Sequence, residues 1–360
     1  MMTSKELIAA ILNKQAADRF GVFEHFWPET IRDYWTKEGF PEKTDQADYF
    51  NYDIAHAGGW FDVTSFPGKK EILTETAEWQ VVKSGNGASV KLWKHKSGTP
   101  EHIGFEMTSR EIWEKSYREP LLTVNKDRLN IAGMKENLEK AKKTGKFTVF
   151  GNLFIFELMR NTIGDEYFLP AMLLEPEWLK DFCEVYTNFY IKHYEIIFRE
   201  AGIPDGMFVY EDLGYKNGLF CSPDALSELV TPYHKRLVSF FKSYKLPVIL
   251  HSCGDVRRAM PSILEAGFDC LQPMEAKAGM NVVELAKEYS GKIAFMGNID
   301  VTVLNSNNKT AIKEEIEYKL KALKKLKAPY VFHSDHSIPP DVRFETYKYA
   351  LEVYRENCRL

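Results

Sequence analysis

His251 and Cys253 stand two residues apart at the end of an apolar run, Pro247-Val-Ile-Leu-His-Ser-Cys-Gly254. Alternate side chains of a strand share a face, so an imidazole and a thiol leave this strand side by side. Zinc uses that donor pair in both structural and catalytic sites. Gly254-Asp255 then turns the chain and leaves room for a ligand to approach. Polar residues also follow other apolar runs: Asn152, then Glu211 and Asp212, then Glu275. Asn298 and Asp300 come after the next run, and His333, Asp335 and His336 after the last. If those runs end at one rim, the acids, imidazoles and thiol form either a metal site or an acid–base site.

Each of these residues also has a structural reading. Glu275 could neutralise Lys277, and His336 could cap the turn before Pro339-Pro340. Cys270 lies inside an apolar run and reads as core, while Cys183, Cys221 and Cys358 carry no site signal. His25, His56, His95 and His102 are expected mostly to face solvent.

The elements that must position these groups alternate regularly from about Gly145. Strands are expected at 146–152, 206–212, 247–253, 268–272, 292–297 and 330–333. Helices are expected over 176–201, 222–244, 256–266, 281–289 and 310–325, with a last one after Pro340. Ser222-Pro223 supplies an N-cap and a first-turn proline, and Gly202 a helix stop. Repeated βα units with polar strand ends point to a (β/α)₈ TIM barrel, whose chemistry sits at the C-terminal rim. The first third reads differently. Trp79–Lys83 and Val90–Lys94 flank Gly85-Asn-Gly87, which signals a hairpin. One domain over 1–360 is expected, with 1–144 as a helical and hairpin extension and 145–360 as the repeats.

Composition narrows the function. The chain has 360 residues, a net charge of −4 and 27% charged residues, without the basic excess of a nucleic-acid binder. Five cysteines, an odd number and widely spaced, argue against a disulfide framework and for a reducing cytoplasm. No signal-peptide pattern opens the chain and no run approaches a membrane span. Neither a Gly-x-Gly-x-x-Gly fingerprint nor a P-loop occurs.

Several motifs together resemble the uroporphyrinogen decarboxylase superfamily, in particular its branch of zinc-dependent, corrinoid-linked methyltransferases. They are Phe26-Trp-Pro-Glu-Thr30, Tyr210-Glu-Asp-Leu-Gly214, Cys221-Ser-Pro-Asp224 and His251-Ser-Cys-Gly-Asp255. Phe268-Asp-Cys-Leu-Gln-Pro273, Phe295-Met-Gly-Asn-Ile-Asp300 and Ser334-Asp-His-Ser-Ile-Pro-Pro340 complete the set. The decarboxylases carry an N-terminal Arg-x-x-Gly-Arg kind of motif that grips substrate carboxylates. Here Glu24-His-Phe-Trp-Pro-Glu29 stands in its place, and it would repel them.

The resemblance implies a zinc site of His251, Cys253, Glu275 and His336. His336, with His333 as a weaker candidate, replaces a late cysteine of the branch. It further implies that Glu211, Asp212 and Tyr215 orient substrate, while Asp300 and Asp335 hold the ligating imidazoles. The implied reaction moves a methyl group between a small methylated metabolite and a corrinoid protein or thiol, in a monomer or homodimer. Two rivals remain. One is a metal-free tetrapyrrole decarboxylase using Asp53, Asp212 or Tyr215 with His336; the other is a non-catalytic binding barrel.

Overall fold

The structure is a computed structural model that describes residues 2–95 and 100–360. Eight parallel strands form a nearly closed barrel with helices between them, and we number them β1–β8 in chain order. They are β1 Gly21–Val22, β2 Ile54–His56, β3 Phe147–Leu153 and β4 Gly206–Tyr210. Then come β5 Val248–Ser252, β6 Cys270–Pro273, β7 Ala294–Met296 and β8 Tyr330–Phe332. Hydrogen bonding runs continuously from β2 through β3 to β8 and on to β1. The expected barrel is present, but it begins at residue 21, well before the expected boundary at 144. Its first two strands have only two and three residues, too few for alternation to show in sequence.

The seam between β1 and β2 is closed by one side chain. Asp53 N–H donates to the Val22 carbonyl at 2.9 Å, and the Asp53 carboxylate accepts the Val22 N–H at 2.9 Å. Arg19 grips the same carboxylate through both terminal nitrogens at 2.7 and 2.8 Å, and Ser4 Oγ donates to it at 2.6 Å. Asp53 is fully buried, just ahead of β2, at the end of the barrel away from the strand tips. Its place in the decarboxylase reading is therefore corrected. It fastens the barrel and does not face the mouth.

The long apolar runs became the expected elements, including the helix Pro176–Glu200. One expected helix is two, Pro223–Leu229 and Thr231–Ser243, broken at Val230. Pro232 forces the break, because it has no N–H to continue the ladder and its ring crowds the preceding turn. The hairpin is half of a four-stranded antiparallel sheet of Lys70–Glu75, Trp79–Ser84, Ala88–Trp93 and Glu101–Phe105. Its Gly-Asn-Gly turn anchors it to the barrel side. Asn86 accepts the Ser65 N–H at 2.7 Å and donates to Thr162 Oγ1 at 3.1 Å, on the helix that follows β3. Among the described residues, no helix is long and apolar enough to cross a membrane.

Asp53→Ala leaves the Arg19 guanidinium and the Val22 N–H without their acceptor. A loss of about 3–5 kcal/mol of folding stability is expected, as when one member of a buried ion pair is removed. Urea unfolding followed by circular dichroism measures it.

Candidate metal centre

Register brings the first donor into place. His251 lies opposite Tyr210 of β4 on one side and Gln272 of β6 on the other. Its Nδ1–H donates to Gln272 Oε1 at 2.5 Å, which leaves the Nε2 lone pair free. Nε2 faces Cys253 Sγ at 3.5 Å and Asp212 Oδ1 at 3.7 Å. Asp212 Oδ1 also accepts the Cys253 N–H at 2.8 Å, which holds the carboxylate over the pair. All three donor atoms fall within 4.8 Å of one another. A tetrahedral ion with zinc-like bonds separates its nitrogen and sulfur ligands by roughly 3.5 Å and its nitrogen and oxygen ligands by about 3.4 Å. The observed spacings meet the first value and miss the second by a small side-chain adjustment. Burial, with Asp212 and Glu275 adding to it, pushes the Cys253 thiol well above its ordinary range. A cation would reverse that balance.

Other expected site residues are committed elsewhere. Glu275 accepts the Gly254 N–H at 2.9 Å and pairs with Lys277 at 3.2 Å, so it braces the turn beneath Cys253. His336 stacks on Trp27 with ring centroids 6.1 Å apart. Among the described residues, neither Glu275 nor His336 joins the group of three donors. Asp212, read from sequence as a substrate-orienting group, is the carboxylate that does. Its neighbour Glu211 is fully buried and points away. It accepts the Phe156 and Glu157 N–H groups at 2.7 and 2.8 Å and pairs with His234, capping the helix Ile155–Thr162.

Asp300 and Asp335 do not hold the imidazoles. Asp300 accepts the Thr302 N–H at 2.8 Å as the N-cap of the helix Val301–Asn305. Asp335 is buried between two loops, accepting the Ala276 and Val301 N–H groups at 2.8 Å each. Burial raises it to about 6. Tyr215 is about half exposed on a small hairpin, its ring tilted against Phe220 with centroids 5.5 Å apart. That hairpin occupies the space beside Gly254: a Cβ there would come within 2.5 Å of the Gly214–Tyr215 backbone. The close approach expected at this glycine is made by the hairpin rather than a ligand. Asn298 spans two loops, donating to the Met274 and Met280 carbonyls at 2.7 and 2.8 Å.

The model of uroporphyrinogen decarboxylase (URO-D) matches residues 132–357, more than half of the chain and all of β3–β8. The chain belongs to the URO-D family. Among solved structures, a methyltransferase from Methanosarcina mazei is similar over 99% of both chains, with a TM-score of 0.71 and 16% identity. At that identity the likeness is one of fold. A Prevotella bryantii endo-beta-mannanase/endo-beta-glucanase overlaps 66% of this chain and 40% of its own, with 10% identity and a TM-score of 0.37. No curated protein sequence matches the chain.

In this URO-D member His56, His95 and His102 are exposed, as expected for most of the early histidines, but His25 is half-buried in the mouth. His25 and His56 stand past β1 and at the end of β2 with ring centroids 5.5 Å apart. His25 Nδ1–H donates to His333 Nε2 at 3.0 Å, and the Gln272 amide reaches the same atom at 3.4 Å. His333 Nδ1–H donates to the Ser334 carbonyl at 2.5 Å, and Tyr210 O–H donates to His25 Nε2 at 3.4 Å. This is the one set of neutral tautomers in which every contact has a single proton.

Burial lowers all three rings, His333 to about 3 and His25 well below its usual range. His56 is open to solvent, yet the concave walls around it bring it down to about 4. Behind them Glu24 is buried, and desolvation raises it to about 8 against three donors: Ser334 N–H at 3.0 Å, Ser334 Oγ at 2.8 Å and its own neighbour's N–H at 3.0 Å. Short strands hide this cluster in the sequence. The run Phe23-Glu-His-Phe-Trp27 is its one visible trace.

Glu24 binds its proton more tightly in the folded chain than in the unfolded one. Its contribution to stability is thus complete below about 4.5 and is lost as pH rises to about 8. The steepest slope is about 1.4 kcal/mol per pH unit. The lowered histidines act in the opposite direction below about 6.5 in both chains, so the difference between wild type and Glu24→Gln in urea titrations isolates the decline across that window.

Proposed function

We propose that the chain is a zinc-dependent methyltransferase that moves a methyl group between a small methylated metabolite and a corrinoid carried by a partner protein. One observation carries the reading. Imidazole, thiol and carboxylate from β4 and β5 converge at the barrel mouth, with the imidazole tautomer already set by Gln272. His251 Nε2, Cys253 Sγ and Asp212 Oδ1 would hold the ion. Bound there, zinc supplies Lewis acidity at an open fourth position, as catalytic sites with three protein ligands do.

The chain's own residues do the rest. Gln272 keeps the Nε2 lone pair aimed at the donor group, and the Cys253 N–H keeps Asp212 in place. Cys253 Sγ gives up its proton when a cation arrives. Tyr210 and Trp60, with ring centroids 5.4 Å apart, wall the approach beside His251 and limit water there. The methyl group would pass, without its bonding electrons, from the oxygen, nitrogen or sulfur of the metabolite to the partner's corrinoid as acceptor. The electron pair stays on the heteroatom, which takes a proton from solvent on release. Positioning donor and acceptor in line is the barrel's main contribution to rate. A partner must reach the mouth, where Trp60 and Tyr215 are each nearly half exposed.

The metal-free decarboxylase reading loses one of its acids, Asp53, to the seam. The wall where substrate carboxylates would need cations carries Glu24 instead.

Plasma mass spectrometry of the purified chain should find one zinc per molecule, lost in Cys253→Ser. Asp212→Asn should weaken retention, and Gln272→Leu should cost about 10–100-fold in zinc affinity while leaving the fold intact. Methyl transfer, read from the absorbance of an added corrinoid protein, should fall with the zinc. A chain that retains no zinc, or metal-free protein that decarboxylates uroporphyrinogen, overturns the reading.

A further inference from the structure

β1 and β2 are joined only at the bottom of the barrel. Toward the mouth they diverge around a cavity of about 320 Å³, at the small end of the range of roughly 300–1,000 Å³ for ligand sites. Its lining mixes apolar and aromatic side chains, Phe26, Trp27 and Ile31 foremost, with polar ones, His25, Gln46 and His56 among them. None of the fourteen residues that line it is Lys or Arg. Its charged or polar groups are already engaged or neutral. Glu24 receives three hydrogen bonds from protein donors, and Asp45 accepts the Asp48 N–H as a helix cap. Arg355 lies behind Tyr52 and donates to the Phe50 carbonyl at 3.1 Å. Arg32 belongs to an adjoining outer groove and is paired with Asp33 at 2.5 Å.

The cavity is connected to the donor cluster through two side chains, His25 and Tyr210, and none of the three donors lines it. His25 lines it, and His25 Nε2 accepts from Tyr210, whose ring lies 5.1 Å from that of His251.

Resting on the methyl-transfer reading, we propose that this cavity binds the body of the methyl donor, and that the donor is an uncharged methyl ether or methyl thioether. Two arguments select that class. An anionic donor would surrender its hydration to a wall that offers carboxyls and no counter-charge, with nothing to offset that loss. A quaternary ammonium would suit the aromatic rings, but it has no lone pair to offer a Lewis acid at the neighbouring site. An ether oxygen or thioether sulfur keeps its lone pairs, and its apolar body replaces water on the aromatic wall. Asp45 and Gln46 stand at the start of a short helix where the cavity meets the surface, so charge there can be altered without disturbing the barrel core.

Calorimetric titration of the zinc-loaded full chain tests this with four probes of similar shape. These are 4-methylanisole, 4-methylthioanisole, 4-methoxybenzoate and 4-methoxyphenyltrimethylammonium. The two neutral probes should bind at least tenfold more tightly than either ion, and their ratio distinguishes oxygen from sulfur. Gln46→Lys should narrow the gap to the benzoate by threefold or more. Benzoate or ammonium binding as tightly as the neutral pair overturns the proposal, and so does a gap to the benzoate that Gln46→Lys leaves unchanged. Repeating the series on Cys253→Ser separates the two readings. A neutral preference that survives loss of zinc upholds the cavity assignment even if methyl transfer fails. No preference in zinc-replete protein sinks the assignment and leaves the metal reading standing.

Discussion

The parallel register of β5 and β6 sets His251 opposite Gln272, and the geometry of the mouth depends on that pairing. A neutral imidazole has one proton and one lone pair, and whichever nitrogen is bonded decides where the other points. Because Gln272 Oε1 can only accept, it keeps the ring proton on Nδ1 and leaves the Nε2 lone pair for Cys253 and Asp212. The same amide turns its nitrogen toward His333, so the orientation of Gln272 is fixed from the far side. His25 and Tyr210 extend the chain of bonds around the barrel. A shift of one residue in β6 would point Gln272 to the other face and release all of it.

Carboxylates at strand ends are ambiguous because a (β/α)₈ barrel needs them for two tasks. Each βα loop leads to a helix whose first N–H groups lack partners, and acids are good acceptors there. Glu211 meets that need for the helix Ile155–Thr162, and Asp300 and Asp335 together meet it for Val301–Asn305. Asp212 is spared by one residue. Glu211 turns outward to the helix Ile155–Thr162, and alternation turns its neighbour toward the mouth. Only the placement of that helix tells the two apart.

What was legible in the sequence follows from the same physics. β3–β8 are buried apolar runs ending in polar groups, so their positions and their rim were readable, as was the His251–Cys253 pair. Ser222-Pro223 signalled the helix start, but the break at Val230 ahead of Pro232 was not read. β1 and β2 carry no periodicity, and the place of His25 in the mouth went unread with them. Glu275 stands at the expected strand end, yet Lys277 and the Gly254 N–H compete for it at close range. Spacing along the chain cannot rank such competitors.

The imperfect seam ties fold to chemistry. Full pairing of β1 with β2 would close the barrel evenly and fill its mouth with side chains. Instead one buried carboxylate, Asp53, fastens the bottom, with Arg19 offsetting its charge. Above it the strands are free to part, since neither needs a partner along its whole length when each has only two or three residues. The gap is lined from one side by the tip of β1 and the chain beyond it and from the other by β2. Much of its aromatic and acidic character comes from residues 23–28, a stretch tied to β8 and the chain beyond it. A change there that leaves His25 in place can alter what the mouth accepts without touching the donor cluster. Ligand selection and metal geometry are thus carried by separate parts of one rim, and His25 is where they touch.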